Sequence, residues 1–140
     1  MTDTVLRKTI YLNASKEHVW SYLTDPDKLA VWFHKPKAPL TAGAPYQMFG
    51  TTSGDRLMWG DVTRAEPFDL LEYTFTIGPM NGAVSTVRWM LEAVAGGTRL
   101  SLRHEGLPQG ADAFGLALAL DKGWDDHISK MRAAIHEAAA

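Results

Sequence analysis

The sequence predicts an α+β domain in which a curved, six-stranded antiparallel sheet wraps on a long C-terminal helix, with two short helices after the first strand. Three observations predict it. Residues 13–33, NASKEHVWSYLTDPDKLAVWF, hold two capped helical turns directly after a strand-like segment. Between residues 46 and 104 the chain falls into segments with period-two alternation, separated by turn residues. Residues 111–140 are helix-forming, with Phe114, Ala117, Asp121, Trp124, Ile128, Met131 and Ile135 spaced on one face. Two short helices cannot bury their own apolar faces, so they need the sheet and the long helix to close over.

Each element has its own signal. Residues 5–12 read as the first strand, with Leu6, Ile10 and Leu12 on one face. Ser15 is placed to cap a helix carrying Val19, Trp20 and Leu23, of which Trp20 is expected to be buried. Asp25-Pro26 starts the second helix, with Leu29, Val31, Trp32 and Phe33. Residues 35–45, with three prolines, read as a loop that leaves His34 exposed beside Trp32-Phe33. Residues 46–49 and 56–64 form a hairpin around 51–55, and residues 70–77 alternate cleanly. The turn 78–82 leads into a strand over 83–93. Gly96-Gly97 is the strongest turn signal, since both glycines can take positive φ, and 98–104 completes the sheet.

Composition bounds the function. At 140 residues, 46% hydrophobic and 21% charged, residues 1–140 read as one domain with room for a core and a ligand-sized cavity. A net charge of −2 with no basic stripe argues against nucleic acid. The absence of cysteine excludes disulfides, thiolate metal sites and a cysteine nucleophile. No apolar run suits a signal peptide or a membrane span, so the expected compartment is the cytoplasm.

A set of short motifs runs through nearly the whole chain. They are Ala14-Ser15 with Val19-Trp20, Thr24-Asp25-Pro26, Leu29 with Trp32-Phe33, and Gly60-Asp61-Val62 before Glu66-Pro67. Thr86-Val87, Gly97-Thr98-Arg99-Leu100, His104-Glu105-Gly106 and Gly123-Trp124 follow. In this order they resemble the helix-grip fold of the START/Bet v 1-like (SRPBCC) superfamily, in the branch related to the C-terminal domain of the activator of Hsp90 ATPase. The resemblance implies a cavity between sheet and long helix. It does not imply one reaction, because that superfamily includes lipid and polyketide binders, cyclases, a sequestering resistance protein and a co-chaperone.

Strand parity then says what would line such a cavity. Met58, Gly60 and Val62 share the inward phase of their strand, as do Leu71, Tyr73 and Phe75, and Val87, Trp89 and Leu91. Leu100, Leu102 and His104 share a face of the last strand, and Tyr46 and Met48 join from the second. Trp32, Phe33, Phe114, Ala117 and Leu118 are expected to cover the opening from the helical side. This aromatic, methionine-rich lining suits a planar or greasy molecule. Trp124 reads as a core anchor, with Gly123 letting the helix approach a neighbouring backbone.

Polar groups in this set are few. His104 is placed either to bond a ligand, acting as an acid or base near neutral pH, or to bond a backbone carbonyl at the strand end. Asp121 interrupts the apolar helix face, and either meets Arg103 or His104 or reaches solvent at the cavity mouth. The hydroxyls of Tyr46 and Tyr73 could orient a ligand carbonyl. Asp125-Asp126-His127 suggests metal in text, but adjacent helix residues diverge by about 100° each and cannot converge on one ion. No GxSxG, P-loop or dinucleotide glycine pattern occurs, so no metal and no cofactor is expected.

Three functions follow from these residues. The first is binding of a small hydrophobic or aromatic ligand between sheet and helix. The second is a cyclase, dehydratase or hydrolase acting through His104 or Asp121. The third is an interaction module of the Hsp90 co-chaperone type, which would show a filled interior and an exposed apolar patch. Monomer and homodimer both remain open.

Overall fold

The computed structural model describes residues 4–139, with side chains described as far as residue 137; residues 1–3 and Ala140, the expected end of the helix, lie outside them. Ten elements follow in order: β1 (Leu6–Leu12), α1 (Lys16–Thr24), α2 (Pro26–Trp32), β2 (Lys35–Pro36), β3 (Pro45–Phe49), β4 (Arg56–Glu66), β5 (Leu70–Phe75), β6 (Ser85–Val94), β7 (Gly97–Glu105) and α3 (Phe114–Ala139). The strands form one antiparallel sheet in the order β1-β7-β6-β5-β4-β3-β2. The sheet thus has seven strands where six were expected. The extra one is β2, in the segment expected to be a loop, where Lys35 and Pro36 pair with Phe49 and Met48. Pro36 lacks an N–H, and an edge strand is where a sheet tolerates that.

Local chemistry sets the start of α1 as expected, and that of α2 in part. The Ser15 hydroxyl accepts from the His18 amide at 3.2 Å, capping α1. Pro26 opens α2, while the Asp25 side chain makes no capping bond. The Trp32 indole donates to the Tyr22 carbonyl at 2.8 Å and ties the two helices together. Trp20 is only partly buried, edge-on to Phe68, rather than a core residue.

Two glycines permit close backbone approaches. A Cβ at Gly60 would lie 2.3 Å from the Thr74 carbonyl oxygen, so only glycine lets β4 lie against β5 there. Pairing of β4 with β5 shifts register between Val62 and Arg64, an irregularity of the kind that bends a strand and raises its local twist. At the β6–β7 turn only Gly96 has positive φ, +88°. Gly97 serves a different need from the expected one: a Cβ on it would lie 2.1 Å from the Leu12 carbonyl oxygen.

The inward faces follow the expected parity. Met58, Val62, Leu71, Tyr73, Phe75, Val87, Trp89, Leu91, Leu100 and Leu102 are all buried. From α3, Ala117, Trp124, Ile128, Met131 and Ile135 pack against them. Lys8, on the inner face of β1, bridges Asp121 at 2.7 Å and Asp125 at 2.9 Å, locking β1 to α3.

Candidate ligand-binding site

Trp124 is the hub between helix and sheet. Its ring packs against Phe33 at 5.4 Å, Trp89 at 5.6 Å and Phe75 at 6.1 Å between centroids. Its indole N–H donates to His104 Nδ1 at 3.0 Å. An indole only donates, so Nδ1 is the bare nitrogen and Nε2 carries the proton. That proton points to the Ser85 hydroxyl at 2.8 Å, which in turn donates to the Phe75 carbonyl at 2.9 Å. His104 is therefore fully buried inside a closed hydrogen-bond chain, and burial lowers its pKa to about 4. Its partners are two side chains, where the sequence suggested a ligand or a backbone carbonyl.

Most of the expected cavity is occupied by its own lining. Trp32 meets Trp89 edge to face at 6.0 Å, and Met48 and Met58 are buried in the same core. The Trp89 indole donates to the Tyr73 hydroxyl at 3.0 Å, and the Tyr46 hydroxyl donates to the Thr74 carbonyl at 2.5 Å. Both tyrosine hydroxyls are thus committed within the fold. Burial raises both phenol pKa values, with the neighbouring Tyr73 and then Asp61 adding to the effect at Tyr46.

What stays open is a cleft of about 120 Å³ between α3 and the sheet. Phe33, Met58, Phe75 and Ile77 border it from one side, and Leu120, Gly123, Trp124 and His127 from α3. Gly123 leaves this space. A Cβ built on it meets nothing within 4 Å, so this glycine opens the cleft rather than admitting a neighbouring backbone, the role expected from the sequence.

Three expected lining residues lie elsewhere. Phe114 and Leu118 are each 56% exposed. At 100° per residue they fall about 80° and 120° around α3 from Trp124, off the buried face. Asp121 pairs with Lys8, not with Arg103 or His104, and is half exposed. A larger open groove of about 380 Å³ runs along residues 36–41 and 44–47 on the β2–β3 side.

Two residues border the cleft that were not expected there. His34, expected to be exposed, is half-buried and stacks on Phe33 at 4.5 Å. Desolvation, followed by the neighbouring His127, lowers its pKa to about 4 against a weaker opposing backbone bond at Phe33. His127 places Nδ1 3.0 Å from the Trp32 carbonyl oxygen. Its pKa is also lowered, chiefly by burial, with the Trp32 bond acting the other way. Among the described residues no group of three His, Cys, Asp or Glu could hold a metal ion.

The sequence matches the model of the family described as Activator of Hsp90 ATPase homolog 1-like protein over residues 13–136. The chain belongs to that family. This Hsp90-activator-like chain also superposes on solved structures. DynU16, a protein in the dynemicin biosynthetic locus, matches with a TM-score of 0.83 at 25% identity, covering 96% of this chain and 48% of DynU16. The chain therefore spans about half the length of that protein. MLL2253 from Mesorhizobium loti matches with a TM-score of 0.83 at 20% identity, covering 96% of this chain and 98% of the other. The Aha1 dimer from Colwellia psychrerythraea matches with a TM-score of 0.78 at 18% identity, covering 94% and 96%. No match was found among curated proteins. No helix among the described residues is long and apolar enough to cross a membrane.

Proposed function

We propose that this chain binds a small, flat hydrophobic molecule in the cleft between α3 and the sheet. The observation that carries this reading is the apolar space in front of Gly123, a cleft open to solvent at the edge of a filled interior. A dry apolar cavity of about 150 Å³ holds benzene, so a cleft of about 120 Å³ suits a single ring. Of the residues expected to contact a ligand, Phe33, Met58 and Phe75 border the cleft directly, while Trp32 and Trp89 support it from behind. The likeness to DynU16, from a biosynthetic locus, supports a small-molecule partner.

The test is to close the cleft. Gly123→Leu should weaken toluene binding at least about tenfold, measured by NMR titration. The same change should hold or raise the melting temperature, because leucine is a good helix former and glycine lies roughly 0.8–1 kcal/mol below alanine, the best. Unchanged toluene affinity in Gly123→Leu would remove the reading. The geometry does not favour a cyclase, dehydratase or hydrolase, since His104 has both ring nitrogens bonded and Asp121 is held by Lys8.

A second reading rests on a separate observation. Phe114 and Leu118 are four residues apart on one face of α3, and both are exposed, as an interaction module would require. The Aha1 match is a dimer, and the proposal for this chain is self-association through that face. Sedimentation should then show a dimer that becomes monomeric in a Phe114→Ser, Leu118→Ser double variant. A wild-type monomer at high micromolar concentration would end this second reading.

A further inference from the structure

The cleft has one polar wall, and the fold bonds only part of it. His127 lies one helical turn beyond Gly123 and borders the cleft together with His34. The two imidazoles meet edge to face, with centroids 5.4 Å apart. His127 Nδ1 faces the Trp32 carbonyl, which only accepts, so Nδ1 holds the proton and Nε2 of the neutral ring is a bare lone pair. Nε2 is also accessible. Among the described residues, the fully buried side-chain nitrogen or oxygen without a partner is Arg103 Nε, so His127 Nε2, which has no partner in the fold, is not sealed from solvent.

A neutral lone pair at the end of an apolar slot selects for a complementary donor. We infer that His127, with His34 beside it, is the polar end of the site and accepts a hydrogen bond from the ligand. The cleft accordingly takes a single-ring aromatic bearing an O–H or N–H, of which phenol is the simplest example. The bordering residues include no lysine or arginine, so a carboxylate would gain no direct ion pair there and would face a lone pair. Two imidazoles without a third side-chain ligand also fall short of a metal site. This inference rests on the binding reading and specifies its ligand class.

Phenol and toluene are nearly the same size and differ in the donor, so the pair isolates the hydrogen bond. Both are titrated by NMR into the wild-type protein and into His127→Phe. The expected result is that the ratio of phenol to toluene affinity falls about tenfold in the variant, the worth of one hydrogen bond. In the wild-type protein the His127 Nε2 resonance should move on adding phenol and stay in place with toluene. That measurement decides the matter even if His127→Phe fails to fold. Equal losses for the two ligands, or an Nε2 resonance unmoved by bound phenol, would overturn the donor requirement and leave cleft binding standing. A wild-type protein that binds neither ligand would overturn both.

Discussion

Replacing Trp124 with alanine is expected to lower the unfolding free energy by about 3–5 kcal/mol, measured by urea denaturation. The residue is nearly fully buried, and its ring fills the space between Phe33, Phe75 and Trp89. Truncation removes that apolar contact and leaves a cavity that helix and sheet cannot both move to fill. It also removes the donor to His104 Nδ1. Trp124→Phe separates the two effects, because it keeps a ring while leaving a buried acceptor unpaired. Its expected cost is about 1–3 kcal/mol from that acceptor, with further loss for the smaller ring. A loss below about 1 kcal/mol in Trp124→Ala would contradict the packing of α3 on the sheet.

Acid should destabilise the fold through His104. Its folded pKa is about 4 and its ordinary value 6.5, because burial disfavours the charged ring. Between those values the unfolded chain binds a proton that the folded chain refuses, so stability rises with pH across this window. The contribution is fully present above about pH 6.5, falls as pH drops toward 4, and is flat below that. A shift of this size corresponds to about 3 kcal/mol over the window. His34 and His127 act in the same direction, but they are partly exposed and their effect is screened. The measurement is therefore a comparison of urea-derived stabilities from pH 7 to pH 4 in wild type and His104→Leu. The variant should be less stable at pH 7, with a visibly flatter profile. Parallel profiles would mean that His104 titrates normally in the folded protein.

Strand faces were legible from sequence because period-two alternation is a local property. Leu71, Tyr73 and Phe75, and Val87, Trp89 and Leu91, are buried as parity requires. Whether those residues enclose a cavity or fill it was not legible, since alternation is identical in both cases. Trp32 and Trp89 lie far apart in the chain, and nothing local records that their rings meet. The environment of His104 depends on β5, β6 and α3 at once, which no single segment encodes. Phe114 and Leu118 were misplaced because an apolar residue in text does not report its angle around the helix, and these two flank Ala117 on the side turned away from the sheet. The pair Lys35–Pro36 carries a proline and spans two residues, too little for a strand signal. Gly123 shows the converse difficulty: a missing side chain reads the same in text whether it admits a neighbouring backbone or leaves an opening.

The sheet order has a consequence for folding. Among the described residues β1 pairs only with β7, Leu6 lying opposite His104, so this edge closes through contacts far apart in the chain. The bridges from Lys8 to α3 span a longer stretch still. Local hairpins such as β6–β7 can form early, whereas the β1 edge must wait for a long loop to close. Until it does, Leu6, Ile10 and Leu12 stay uncovered, which makes β1 the strand most open to mispairing while the protein folds.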